Sequence, residues 1–573
     1  MTPIGTTLLP KPTNRSDKRG YGIVLASFLL TSPLLAQEEA PADPAPAVAP
    51  ETAAAPAPNE PTAEPQRFYI RNFRVLGTAG VNGAQPPLSK AEVEEIVYPF
   101  MGPYRTTDDV EDARAALEKA YQEKGYQTIS VQTPMQSMPL VIKKGIVVLQ
   151  VVQMRVGRLR VVGSRFFLPS EIKAEAPHLK EGTVPNFNDV TRDIVGLNQI
   201  PDRQVTPTLR AGMDPNSVDV DLNVKDKFPV HADIEINNRY SVNTSPLRVN
   251  LGANYGNLWQ LGHTISLTYQ VAPQNPSDAQ VFTGSYLAPI PAVDGLSLLL
   301  YGLVSNSNVA TGGSANVVGK GSVIGMRAIF ALPSEKGFSE NLSLGVDYKD
   351  FEQGVSLPGA PISNTPITYV PVSATYSATW NGGDGSLTQL DAGATIGLRG
   401  LGSSEQEFEN DRVGASANFM YLRGDISRLQ PLPKDFQLWA KMQGQLASEP
   451  LVNSEQISAG GLDTVRGYLE SEALGDNGIQ GQFEIRTSSI GELNPSLVND
   501  WRLYLFTDAA LLGLDQTLPQ QTNTFGLLSV GAGTRIKLWD HFNGSMDAGL
   551  PLTDGPDTTA YNWRVTLRAQ ATF

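Results

Sequence analysis

The chain has no cysteine and only four histidines in 573 residues. Without thiols there are no disulfides and no thiolate chemistry. His178, His231, His263 and His541 lie far apart and read as ordinary surface or loop residues, so no metal site is expected. Positive charge is also short: 44 Lys and Arg against 58 Asp and Glu give a net −14. That balance argues against a nucleic-acid-binding surface and leaves protein partners open. Long apolar runs are scarce as well. The one example, Tyr21 to Leu35, is too short for a comfortable spanning helix. It follows Lys11, Arg15, Lys18 and Arg19 and ends at Leu34-Leu35-Ala36. This is the pattern of a secretory signal peptide over residues 1–36. No later helix could span a bilayer, so any membrane domain has to be a closed β-barrel.

Catalytic signatures are missing too. Neither Gly-x-Ser-x-Gly nor His-Glu-x-x-His occurs, so no catalytic residue, no enzyme activity and no cofactor are expected. The stretch Gly312 to Ser322 has the glycine content of a phosphate loop, but its spacing is wrong by one residue. A Gly-rich turn between strands is the simpler reading. The acids Asp108, Asp109, Glu111 and Asp112 stand at a helix start, where they complement the dipole.

What is present is alternation. From Asn562 to Phe573 every odd residue is apolar: Trp563, Val565, Leu567, Ala569, Ala571 and Phe573. Period 2 puts one class of side chain on each face of a strand. Twelve residues suit a tilted strand crossing a membrane, although the edge of a soluble sandwich also alternates. Similar runs recur back to Phe228, as in Val249/Leu251/Ala253/Tyr255 and Ile265/Leu267/Tyr269/Val271. Leu296 to Val304 is more fully apolar. Residues 228–573 suffice for about sixteen antiparallel strands at roughly 20 residues per strand and connection. The expected class is a membrane β-barrel preceded by two small α+β domains.

Those domains are read as follows. Residues 37–66 are rich in Ala, Pro and Glu and form an extended linker. A strand at Phe68–Leu76 opens the first domain, residues 67–154. Ser89 and Glu92 form a capping box for a short helix. Thr107 to Lys124 carries Val110, Ala113, Leu117, Ala120 and Tyr121 on one face and stops at Gly125. Strands at about 127–132 and 146–152 close the unit. The same plan repeats over 155–227, with strands at 158–162, 204–210 and 218–224 and helices at 169–176 and 188–198.

One stretch invites a function. Gly460-Gly461-Leu462-Asp463-Thr464-Val465-Arg466-Gly467-Tyr468 brackets a single arginine with glycines. An arginine folded into a lumen needs a carboxylate, because a lone desolvated charge is costly. Asp508, on the apolar strand around Leu503 to Ala510, is a candidate. An exposed loop arginine and an unrelated aspartate would explain the residues equally well.

At these residues the chain resembles the outer-membrane transporters of two-partner secretion, the haemolysin secretion/activation class. The resemblance rests on the loop motif Val465, Arg466, Gly467 and Tyr468, and on Phe506 and Asp508, which match a Phe-x-Asp-x-Gly barrel motif with Ala510 in place of Gly. Leu197-Asn198 with Pro201, Ser529 to Arg535, and Ala548 to Leu552 are also similar. The resemblance covers about residues 68–573. It implies that the two small units are polypeptide-transport-associated (POTRA) domains in the periplasm, binding a secreted, TpsA-like partner protein by β-augmentation. It implies export through a Gram-negative outer membrane, an Arg466–Asp508 pair holding an inward-folded loop, and no nucleotide. Phe573 would be the signal to the barrel-assembly machinery, and outer-membrane lipids the surroundings. Members often begin with a plug helix, against which the prolines of 37–66 count. An insertion or assembly factor of the same superfamily, or a diffusion porin, are the rival readings.

Overall fold

The computed structural model describes residues 67–80, 85–135, 143–307, 319–333, 336–355, 363–491, 496–519 and 521–573. The signal peptide, the linker, any plug helix and the glycine stretch up to residue 318 lie outside them. The chain divides into two compact units between Pro229 and Val230.

The first unit holds two small sheets. Its strands are β1 Phe68–Ile70, β2 Asn72–Leu76, β3 Gly102–Arg105, β4 Ile129–Gln132, β5 Ile146–Gln153, β6 Arg155–Val162, β7 Arg203–Ala211 and β8 Ser217–Asp226. The sheet orders are β2-β5-β4 and β6-β8-β7, with β1 and β3 paired separately. In both three-stranded sheets the central strand runs parallel to the first and antiparallel to the other. One plan is therefore used twice. Helices Lys90–Val97 and Thr107–Glu123 cover the first sheet, and Pro169–Ala174 and Phe187–Leu197 the second.

Local chemistry sets the helix ends. Ser89 and Glu92 form a capping box, as do Thr106 and Asp109, and Gly125 takes φ +92° after the second helix. Ala113, Leu117 and Tyr121 are fully buried against Ile129, Val131 and Leu149. The single strand expected over 68–76 is two strands. Arg71 turns its N–H to the Gly145 carbonyl at 2.7 Å, so β1 pairs with β3 while β2 pairs with β5. β3, a short piece containing Pro103, carries no alternation that would have announced it.

The second unit is a closed barrel. Its wall runs through β9 Val230–Asn237, β10 Arg248–Leu258, β11 His263–Val271, β12 Gln280–Pro289, β13 Leu296–Ser307, β14 Gly319–Ala331, β15 Phe338–Val355, β16 Ser363–Tyr369, β17 Pro371–Asn381, β18 Leu387–Gly397, β19 Met420–Pro431 and β20 Gln437–Ala447. Two short strands follow in a loop, β21 Ile457–Ala459 and β22 Ala473–Gly475. The wall resumes with β23 Asn477–Arg486, β24 Val498–Gly513, β25 Thr524–Leu538, β26 Phe542–Pro551 and β27 Arg564–Thr572, and β27 closes on β9. β16 and β17 both pair with β15 and form one strand interrupted before Pro371, so the wall has sixteen strands, all antiparallel.

The wall is inside-out relative to a soluble sheet. Along β24 Arg502, Tyr504, Asp508 and Ala510 are buried while Leu503, Leu505 and Leu511 face outward, Leu505 with 68% of its surface exposed. An apolar outer band with polar residues inside is the arrangement a bilayer requires. β27 follows the same rule, with Val565 and Leu567 outward and Thr566 buried. It spans nine residues rather than the twelve expected: Tyr561 (φ +65°) turns the chain and leaves Asn562 and Trp563 ahead of the strand, and Phe573 follows its last residue. Among the described residues no helix is long and apolar enough to cross a membrane.

Candidate functional site

Residues 448–476 join β20 to β23 at the rim opposite the one where the wall begins and ends. The segment folds inward. β21 and β22 pair as a hairpin, and Ile457, Ala459, Val465 and Ala473 are buried against Ala510, Leu512 and Leu527 of the wall. Gly467 takes φ +97° and lies so close to β26 that a Cβ on Gly549 would sit 2.6 Å from its nitrogen. Gly549 therefore has no room for a side chain, and one at Gly467 would be held at positive φ with its Cβ 3.2 Å from the Gly549 carbonyl carbon.

Arg466 is 2% exposed. Its Nε and Nη2 donate to the two carboxylate oxygens of Asp508 at 2.7 and 2.8 Å, and its backbone N–H to Oδ2 at 3.0 Å. Nη1 reaches Glu484 of β23 at 2.6 Å and Asp547 of β26 at 3.3 Å. The Phe506 ring centroid lies 3.7 Å from the guanidinium carbon, a cation–π contact. Arg535 and Arg486 also pair with Glu484, and the Tyr504 hydroxyl donates to Asp547 at 2.6 Å. Three guanidinium groups thus meet three carboxylates. A buried charge is tolerated only when paired and hydrogen-bonded in this way.

The other motif residues surround this pair. Val465 is fully buried, and the Tyr468 hydroxyl donates to the Thr553 carbonyl at 2.7 Å. Ala510, where Gly was the family pattern, packs its methyl into the same cluster as Val465. Phe573 is distant from these residues along the fold. It exchanges backbone hydrogen bonds with Ala232 of β9, and its ring stacks on His541.

The segment has further anchors. Glu455, 1% exposed, accepts from the Tyr369 hydroxyl at 2.6 Å and the Tyr421 hydroxyl at 2.9 Å, and pairs with Lys349 at 2.5 Å. Asp476 pairs with Arg412, which follows the short helix Glu405–Asp411, and accepts from the Leu451 and Asp515 N–H groups. Arg239, beyond β9, pairs with Asp463 at 2.6 Å and Glu470 at 2.9 Å. Glu472 accepts from the Thr558 N–H at 2.6 Å.

Sequence reasoning missed Glu484, Asp547, Arg535, Arg486, Arg239, Glu455 and Asp476. One signal was available for β23: Gln480, Gln482, Glu484 and Arg486 alternate with Ile479, Phe483 and Ile485. Polar residues at every second position of a wall strand mark what faces the lumen.

A family model described as haemolysin secretion/activation protein ShlB/FhaC/HecB matches residues 216–536, more than half of the chain. The chain belongs to this family. A ShlB-type POTRA model matches residues 75–153. Similar solved structures include CdiB from Escherichia coli (19% identity, 90% of this chain and 92% of that one, TM-score 0.62). CdiB from Acinetobacter baumannii gives 15% identity, coverage of 88% and 90%, and a TM-score of 0.56. BamA from Haemophilus ducreyi lacking POTRA domains 1–3 gives 15%, 88% and 100%, and 0.52. At these identities the likeness concerns the fold. No curated protein sequence matches the chain. As a member of the haemolysin secretion/activation family, the protein is an outer-membrane transporter of two-partner secretion, with POTRA domains in the periplasm.

Proposed function

We propose that the secretion transporter passes its partner unfolded from periplasm to cell surface and catalyses no reaction. The domains at 67–154 and 155–227 receive the partner by β-augmentation, an extended segment pairing with a sheet edge. Export draws on the partner's own folding outside the cell rather than on nucleotide. Val465, Arg466, Gly467 and Tyr468 hold the inward segment, Phe506 and Asp508 receive it, and Phe573 is read by the barrel-assembly machinery as the wall enters the lipid.

The observation that supports this reading is the Arg466 cluster, which ties one segment to β23, β24 and β26 at once. The test is Arg466→Ala in the producing strain. Export of the partner, identified by its loss from the culture supernatant when the transporter gene is deleted, should fall while the barrel stays inserted at normal levels. Undiminished export would refute the role of the cluster.

A further inference from the structure

Side chains occupy the outward backbone groups of two sheet edges, at equivalent places in the repeat. β4 is an edge of the first sheet. The Val131 N–H donates to Glu118 Oε2 at 3.1 Å, and its carbonyl accepts from Arg114 Nη1 at 3.1 Å. Arg114 and Glu118 also pair with each other, one turn apart on helix Thr107–Glu123. β7 is the matching edge of the second sheet. The Val205 N–H donates to Asn198 Oδ1 at 2.6 Å, and its carbonyl accepts from Asn198 Nδ2 at 3.0 Å. A carboxamide presents acceptor and donor much as a peptide group does. Asn198 therefore stands where the backbone of a neighbouring strand would stand. Open edges pair with unintended chains, and proteins cover them for that reason.

We propose that both are covers, and that the neutral cover on β7 is the one the exported partner displaces. This rests on the β-augmentation reading above and names its edge. Length favours β7, with nine residues against four in β4. Bond strength favours it too. The Arg114–Glu118 cover is an ion pair, and charge-assisted hydrogen bonds are roughly twice as strong as neutral ones. Exchanging an Asn side chain for a partner's peptide group replaces like with like. The third reason is continuity. The β7–β8 ladder runs from Arg203 to Ala211 without a bulge, so Pro207, Leu209 and Ala211 point their backbone groups the same way as Val205. The side chains of 208–211 are all exposed. Pro207 has no N–H, which disfavours any register that needs a donor there and so helps to align the incoming strand.

The test uses the full-length protein in detergent micelles. The probe is the exported protein, purified from supernatant, unfolded in urea and diluted into the assay. Hydrogen exchange is read by mass spectrometry with residue-resolving fragmentation. Exchange at the Leu209 and Ala211 amides should slow on addition of the probe. Thr208 and Arg210, which face β8, and Val131 on β4 should not change. Asn198→Ala should bind the probe about thirty-fold tighter, because it removes two competing hydrogen bonds of ordinary strength. Leu209→Pro leaves the cover alone, deletes one outward donor and should bind about five-fold weaker. The Leu209→Pro variant keeps the test decisive if Asn198→Ala fails to fold. Protection at β4 instead of β7, or unchanged affinity for Leu209→Pro, would overturn the assignment while partner binding stands. Absence of any binding to the wild-type protein would instead overturn the β-augmentation reading itself.

Discussion

Removing the Arg466 side chain leaves Asp508, Glu484 and Asp547, each with a side chain at most 2% exposed, facing only Arg486 and Arg535. Both of those cations pair with Glu484, so Asp508 and Asp547 lose their guanidinium partner while staying buried. Deleting one partner of a buried pair costs about 3–5 kcal/mol. Asp508→Ala should cost toward the low end of that range, since Glu484 and Asp547 still receive Arg466. Two of the Arg466 side-chain hydrogen bonds go to Asp508, so the double variant should fall short of the sum of the singles by about 2–3 kcal/mol. Arg466→Lys should recover little, because an ammonium cannot make the two-pronged contact. The assay is urea unfolding in lipid vesicles followed by tryptophan fluorescence. Trp259, Trp380, Trp439, Trp501, Trp539 and Trp563, all six tryptophans of the chain, belong to the barrel unit, so the signal reports on it alone. If the single costs add to within about 0.5 kcal/mol, Arg466 and Asp508 are not an energetic unit and the reasoning fails.

Deleting Phe573 removes the backbone hydrogen bonds to Ala232 and should lower outer-membrane levels on immunoblots of fractionated envelopes; unchanged levels would rule out its assembly role. Gly467→Ala meets both positive φ and the β26 backbone, and should destabilise the barrel by about 1–3 kcal/mol in the urea assay. Leu505→Arg puts a charge on the lipid face and should cost about 2–4 kcal/mol if the residue lies near mid-bilayer, seen as reduced resistance to urea. Glu92 has its pKa lowered to about 2 by the Lys124 ammonium and the Ser89 cap. Because that lies below 4.5, the carboxylate stabilises the first domain above pH 4.5, and the stabilisation is lost as pH falls toward 2. Glu92→Gln should therefore flatten acid destabilisation of helix Lys90–Val97, measured by hydrogen exchange.

The parts of this fold written in local chemistry could be read without coordinates. Ser89 with Glu92, the apolar face through Ala113, Leu117 and Tyr121, and the stop at Gly125 are decided within a few residues. So is the alternation of Val565, Thr566 and Leu567, because the pleat obliges neighbours onto opposite faces. The site was harder. Asp508 was legible as the one acid on an apolar strand, and a family motif named it too, whereas Glu484 and Asp547, 18 and 81 residues from Arg466 in sequence, converge only once β23 to β26 have paired side by side around the inward segment. The break at Arg71 was invisible for a similar reason, since it depends on Gly145, far along the chain.

The inward segment is tethered around the circumference rather than at one point. Lys349 and Asp508 of the wall, and Arg412 and Arg239 of connecting segments, hold Glu455, Arg466, Asp476 and Glu470 respectively from separate places. Tethers arranged in parallel share a load. A uniform axial push by a passing chain must rupture several together, whereas peeling from one root breaks them in succession. The mechanical resistance of this segment therefore depends on where it is pulled, and force applied at residue 455 should free it more easily than force spread over its length.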